Sequence, residues 1–202
     1  MRWLALITIT TMLTLASMTT ALVPMSKITE GIWVGNQVAA ADLSALAAAN
    51  ITGVLNVAWD LDIEYPSSEY IGDVSTDNEH LRLEYNKVGL VDGEGNTLFQ
   101  LAAAVFQLRQ LVSKRTLEAK DADTFPNPPS AVLLHCHSGM SRSVTVMALY
   151  LHFTEPGKWA SYDDTLKFVM DQRGSTTLPA AALVTAANAL VHIDIFSPYG
   201  GL

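Results

Sequence analysis

The apolar positions of this chain fall into short continuous runs separated by longer periodic ones. Ile32-Trp33-Val34, followed by Gly35-Asn36, predicts a short strand and a turn. Ile51–Ala58 (ITGVLNVA) is a β-branched run suited to a buried strand. Residues 81–88 alternate through Leu81, Leu83 and Tyr85 and predict another strand, and Ala131–His135 (AVLLH) a further short apolar one. Between these lie helical patterns. Residues 42–49 are rich in Ala and Leu. Residues 97–118 carry Leu98, Leu101, Ala102, Val105, Leu108 and Leu111 on one face. Residues 142–153, 162–173 and 180–191 predict three more helices. Residues 59–79 are acidic and contain Pro and paired Ser, which predicts a loop. Residues 91–96 (VDGEGN) form a Gly-rich turn, and residues 120–130, with three Pro, a surface loop. There is no internal repeat. Strands alternating with helices predict an α/β fold: a central mixed or parallel sheet flanked by helices in three layers.

The front of the chain departs from this pattern. From Trp3 to Ser26 no residue is charged; Arg2 precedes the run, Lys27 follows it, and the first acid is Glu30. This composition boundary divides the chain into an apolar segment, 1–26, and a folded domain, 27–202. Three readings of the segment stand side by side. A basic start, an apolar stretch and the small residues Thr19-Thr20-Ala21 suit a secretory signal cleaved after Ala21. The uncharged run is also long enough to span a bilayer, giving membrane association through residues 3–26. The third reading is a disordered extension or a misplaced start codon. Six Thr dilute the run and weaken the anchor reading, and a single Arg is too few for a transit peptide. Localisation follows the choice: secreted or membrane-anchored under the first two readings, cytoplasmic under the third.

Composition narrows function. The hydrophobic share of 50% and mean hydropathy of +0.24 are high for a soluble domain, and the leading segment carries part of the excess. Twelve Lys and Arg against 20 Asp and Glu give −8, a poor match to nucleic acid, whose phosphates want basic contacts. One Cys excludes an intramolecular disulfide framework, a zinc ribbon and an iron–sulfur site.

That single thiol lies in the most informative stretch, His135-Cys136-His137-Ser138-Gly139-Met140-Ser141-Arg142-Ser143, between a predicted strand and a predicted helix. Ligands of open α/β sheets bind at the carboxyl ends of strands. A loop entering a helix N-terminus aims backbone N–H groups and the helix dipole at one point, a cradle for an anion such as phosphate. A cysteine facing such a cradle and a nearby Arg loses its proton readily, which makes Cys136 a candidate nucleophile. Arg142 follows with five residues between, and its planar fork can hold two phosphate oxygens at once. Gly139 permits a tight turn close to a ligand. Ser143 can donate a hydrogen bond to the sulfur and so ease its departure from a phospho-enzyme. His135 and His137 flank the thiol, but no second ligand cluster accompanies them, so no metal is expected. Gly139-x-Ser141-x-Ser143 lacks the last Gly of a serine-hydrolase elbow.

Cys-x5-Arg in the form HCxxGxSRS resembles the protein tyrosine phosphatase superfamily, most closely its dual-specificity branch. Residues 28–36 (ITEGIWVGN) are similar to that family's opening strand and turn, and residues 51–57 (ITGVLNV) to its second strand; the likeness covers about residues 27–192. The resemblance implies a phosphomonoester hydrolase acting on phosphotyrosine, phosphoserine or phosphothreonine of protein substrates through a phosphocysteine intermediate, without metal or organic cofactor. It implies Cys136 as nucleophile and Arg142 with the backbone of His137, Ser138, Gly139, Met140 and Ser141 as the phosphate cradle. It also makes His135 a buried hydrogen-bonding residue. By context the general acid is Asp92, with Glu94 as the fallback; the flanking Gly residues suit a loop that moves or approaches closely. The Asp92-to-Cys136 separation is longer than the family's usual one, and the 120–130 loop accounts for it. Arg173 sits where the family has an Arg late in a helix and reads as structural, pairing locally.

Other readings remain. The cradle has no Lys, which tilts the substrate toward phosphoproteins, with phosphoinositides or phosphorylated carbohydrates as alternatives. Rhodanese-like sulfur transfer and a non-catalytic phosphate-binding module complete the set. If the leading segment exports the chain, Cys136 must stay reduced in an oxidising place with no second Cys. Oligomeric state is not legible.

Overall fold

A computed structural model of the chain describes residues 23–65, 70–71, 81–120, 130–155 and 157–193. The elements, in order, are β1 (Met25–Thr29), β2 (Ile32–Gly35), α1 (Gln37–Ala41), α2 (Leu43–Ala48), β3 (Ile51–Ala58), β4 (Tyr70–Ile71), β5 (Leu81–Arg82), β6 (Glu84–Leu90), α3 (Leu98–Lys120), β7 (Ala131–His135), α4 (Arg142–Thr154), α5 (Tyr162–Arg173) and α6 (Ala181–Ile193).

Five strands form one sheet in the order β1-β2-β7-β3-β6. β1 and β2 are antiparallel, and the other neighbours are parallel, so the sheet is mixed. Every residue of β3 and β7 is buried. Central parallel strands are covered on both faces, which is why these two read as unbroken apolar runs. One face carries the larger core, where Leu55, Val57, Val132 and Leu134 meet Leu101, Val105 and Leu108 of α3 and Val144 and Met147 of α4. The other face packs Ile51, Val54 and Leu133 against Ala40 of α1 and Leu46 of α2. Helices on both faces complete the three layers.

Several boundaries differ from the sequence reading. The single helix expected over 42–49 is preceded by α1, and the two meet at Asp42 in extended conformation. Asn36 caps α1 through Ala39 N at 3.0 Å, and Asp42 caps α2 through Ala45 N at 3.0 Å; a side chain that captures the backbone locally starts a new helix rather than continuing one. The strand expected over 81–88 breaks at Leu83 and then runs to Leu90. Tyr70–Ile71, inside the expected 59–79 loop, pairs antiparallel with Leu81–Arg82. β1 starts at Met25, ahead of the expected domain start at 27. The readings of the leading segment otherwise fall on residues 1–22, outside the described residues. Among the described residues no helix is long and apolar enough to cross a membrane.

Candidate active site

β7 ends at His135, and the loop 136–141 carries the chain into α4. This is the carboxyl edge of the parallel strands, between β2 and β3. Cys136 is fully buried at the base of the loop. Its Sγ accepts a hydrogen bond from Gly139 N at 3.3 Å and lies 3.3 Å from Ser143 Oγ. A backbone N–H donated to the sulfur, with a hydroxyl beside it able to donate as well, suits a negative charge there. Ser141, at the N-cap of α4, makes no side-chain cap bond to the helix; its Oγ instead accepts from Ala180 N at 3.0 Å. The first-turn N–H groups of α4 are therefore left without a capping side chain, the condition for an anion at a helix N-terminus.

The loop's shape is set from outside. Gly139 has φ +73°, and a Cβ there would meet Gly35 O at 2.6 Å. Only glycine meets both demands. Gln37 N donates to His137 O at 3.1 Å, fastening the loop to the β2–α1 turn a second time. His137 is exposed, Ser138 and Met140 half-buried. His135 is buried; its Nδ1 lies 3.3 Å from Cys136 O, and burial pushes its pKa down to about 4, so the ring is neutral at neutral pH.

Two buried arginines attend this loop. Arg142 Nη1 donates to Asp60 Oδ1 at 2.6 Å and to Leu90 O at 3.2 Å. Its Nη2 is 3.9 Å from Asp92 Oδ2, beyond hydrogen-bond length. Among the described residues its Nε has no hydrogen-bond partner. Arg173 is the second. Its Nε donates to Gly139 O at 3.1 Å, Nη1 to Val23 O at 2.6 Å and Ser26 Oγ at 3.1 Å, and Nη2 to Pro24 O at 3.2 Å. The expectation of local pairing is corrected here: Arg173 is structural, but it ties the end of α5 to the start of β1 and to the cradle. Burial explains the difference, because a solvated helical Arg finds i±4 partners while a buried one takes whatever acceptors the fold brings to it.

No protein-family model and no curated protein sequence matches this chain. Solved structures do. A single-substitution variant of human DUSP28 superimposes with a TM-score of 0.60 at 17% identity, over 84% of this chain and 95% of that one. The Yvh1 phosphatase domain from Chaetomium thermophilum gives 0.58 at 20%, over 84% and 96%. A human tyrosine phosphatase-like serine/threonine/tyrosine-interacting protein gives 0.53 at 17%, over 84% and 96%. The chain has the dual-specificity phosphatase fold. Within that fold the loop 136–142 runs from the central strand β7 into α4, and the five-stranded sheet and its two helical layers are what hold it there.

On this phosphatase fold the Asp92 loop is fastened by one side chain. Asn96 closes it: Val91 N donates to Asn96 Oδ1 at 2.8 Å, and Asn96 Nδ2 donates to Val91 O at 2.8 Å and Gly93 O at 3.0 Å. Asp92 and Glu94 are both exposed on it, and Asp92 is the one brought within 4 Å of Arg142. Two residues that sequence reasoning missed are Asn96 and Asp60. The signal for Asp60 was available: it is the first carboxylate after the fully buried β3, at the strand's carboxyl end. Among the described residues no group of His, Cys, Asp and Glu could hold a metal ion.

Proposed function

We propose that this protein is a cysteine-dependent phosphomonoester hydrolase whose substrates are phosphorylated protein residues. The observation that carries the reading is Cys136 Sγ held between Gly139 N and Ser143 Oγ in a loop that ends on buried Arg142. In the proposed reaction the Cys136 thiolate attacks phosphorus in line. The S–P bond forms as the P–O bond to the leaving alcohol breaks, and Asp92 delivers its proton to that oxygen. Loop N–H groups and Arg142 hold the three equatorial oxygens, so catalysis is positioning and electrostatics. Asp92, now a base, takes a proton from water, which displaces the thiolate and releases phosphate; Ser143 supports the departing sulfur.

Similarity to the Yvh1 phosphatase domain supports this reading, as does a cradle without Lys, which favours phosphoproteins over the phosphoinositide and phospho-carbohydrate alternatives. The test is phosphate release from a small aryl phosphate by reduced protein with a chelator present. Cys136→Ser is expected to abolish turnover, and retained activity overturns the nucleophile. Asp92→Ala is expected to lower kcat by about 10²-fold with little change in KM; an unchanged kcat moves the acid to Glu94.

A further inference from the structure

The guanidinium of Arg142 is unevenly occupied. Both hydrogens of Nη1 have acceptors, Asp60 Oδ1 and Leu90 O. Among the described residues Nε is buried without a partner and no acceptor lies at hydrogen-bond distance from Nη2, Asp92 Oδ2 being 3.9 Å away. Nε and one hydrogen of Nη2 make a parallel pair on one edge of the planar fork, the edge that grips two oxygens of a phosphate. A buried N–H with no acceptor is costly, so this edge is built for a ligand rather than for the folded chain alone.

The corner opposite is fixed by the end of two strands. Leu90 O, at the end of β6, also accepts Trp59 N at 3.1 Å, so the turn after β3 is fastened to β6 beside the guanidinium. Asp60 is the next residue. Its carboxylate stands half in water, with 51% of the side chain exposed, while its Oδ1 reaches the buried Nη1. We infer that Asp60 is a positioning residue: by holding the Nη1 corner it fixes the plane of Arg142 and presents the Nε–Nη2 edge to an oxyanion. The Arg142 bond, chiefly, holds the Asp60 carboxyl below the usual carboxylate range. Asp60 therefore stays ionised at neutral pH and is unsuited to give up a proton, so the acid role falls to the 91–96 loop. A strap of this kind separates two jobs that one carboxylate could not do together, since a general acid must be protonated and an arginine's partner must not be.

The inference rests on the phosphatase reading, so its test reads binding as well as turnover. Inorganic tungstate is titrated calorimetrically into the reduced full-length chain and its Asp60→Ala, Asp60→Asn and Asp60→Glu variants, with melting temperatures measured alongside. Asp60→Ala is expected to weaken tungstate about tenfold and to raise KM for an aryl phosphate in parallel, at an unchanged melting temperature. Asp60→Glu is expected to restore part of the loss, and the isosteric Asp60→Asn to lie between. The pH dependence of kcat assigned to the general acid is expected to persist in Asp60→Asn. Wild-type protein that binds no tungstate overturns the phosphatase reading and this inference together. Tungstate bound equally by wild type and Asp60→Ala overturns the inference alone. Tighter binding by Asp60→Ala also overturns it, because Asp60 would then be a competitor of the oxyanion.

Discussion

Arg142 and Arg173 are buried to nearly the same degree, 2% and 1% exposed, and both touch or adjoin the 136–142 loop, yet they are partnered in opposite ways. Arg173 spends all three nitrogens on neutral acceptors from two parts of the chain, residues 23–26 and Gly139, and its charge is spread over carbonyl dipoles and one hydroxyl. Among the described residues Arg142 concentrates its hydrogen bonds on one nitrogen, one of them to a carboxylate, and its Nε has no partner. A fully partnered buried guanidinium is a fastener. A half-partnered one holds a place for an anion, because the cost of burying it is offset only when the remaining N–H groups find oxygen.

This contrast can be broken in order of effect. Arg142→Met is expected to lower kcat/KM for an aryl phosphate by about 10³-fold or more while leaving the melting temperature near wild type. Asp60 then loses its partner but remains half in water, and Leu90 O keeps its bond from Trp59 N. A large fall in stability would mean that Arg142 is a fastener as well. Arg173→Met is expected to do the reverse at first hand, costing about 4 kcal/mol in denaturant unfolding, since Gly139 O, Val23 O and Pro24 O lose a common donor. Activity falls with it only as far as the Gly139 peptide shifts. Stability within about 1 kcal/mol of wild type would show that water replaces the guanidinium.

His135 sharpens the comparison, because a buried base that can release its proton takes a third course. Its pKa is about 4 in the folded chain against an ordinary 6.5. The unfolded chain therefore binds the extra proton first as pH falls, and stability drops between about pH 6.5 and pH 4 while staying flat above. The full drop corresponds to about 3 kcal/mol. Unfolding curves across that range are expected to show the limb in wild type and to lose this share of it in His135→Gln. An identical limb in the variant assigns it to carboxylates instead.

How much of this was legible in the sequence varies with how local the cause is. The nine residues 135–143 fixed their own setting, since a short apolar strand, a Gly turn and a helix start are all encoded within the stretch itself. β3 and β7 were readable because burial on both faces leaves only one kind of residue. The start of α2 at Asp42 was readable, whereas α1 was missed, because five residues are too few to show a helical period and its Asn36 cap also reads as a turn. Asn96, which closes the loop around Gly93 and Gly95, was not legible, because its three bonds depend on the chain already having turned there.

What the sequence determined by itself is the chemistry on offer: one thiol, one arginine six residues beyond it, a predicted helix N-terminus between a Gly turn and an apolar run, and an acidic body around them. What only the tertiary structure decided is the division of labour among charges distant in sequence. Asp60 is 82 residues from Arg142, and Arg173 is 150 residues from Val23. No spacing rule connects such pairs. They meet because β3, β6 and β7 end at one edge of a sheet, and because a buried guanidinium must take its acceptors from whatever the closed fold brings within reach.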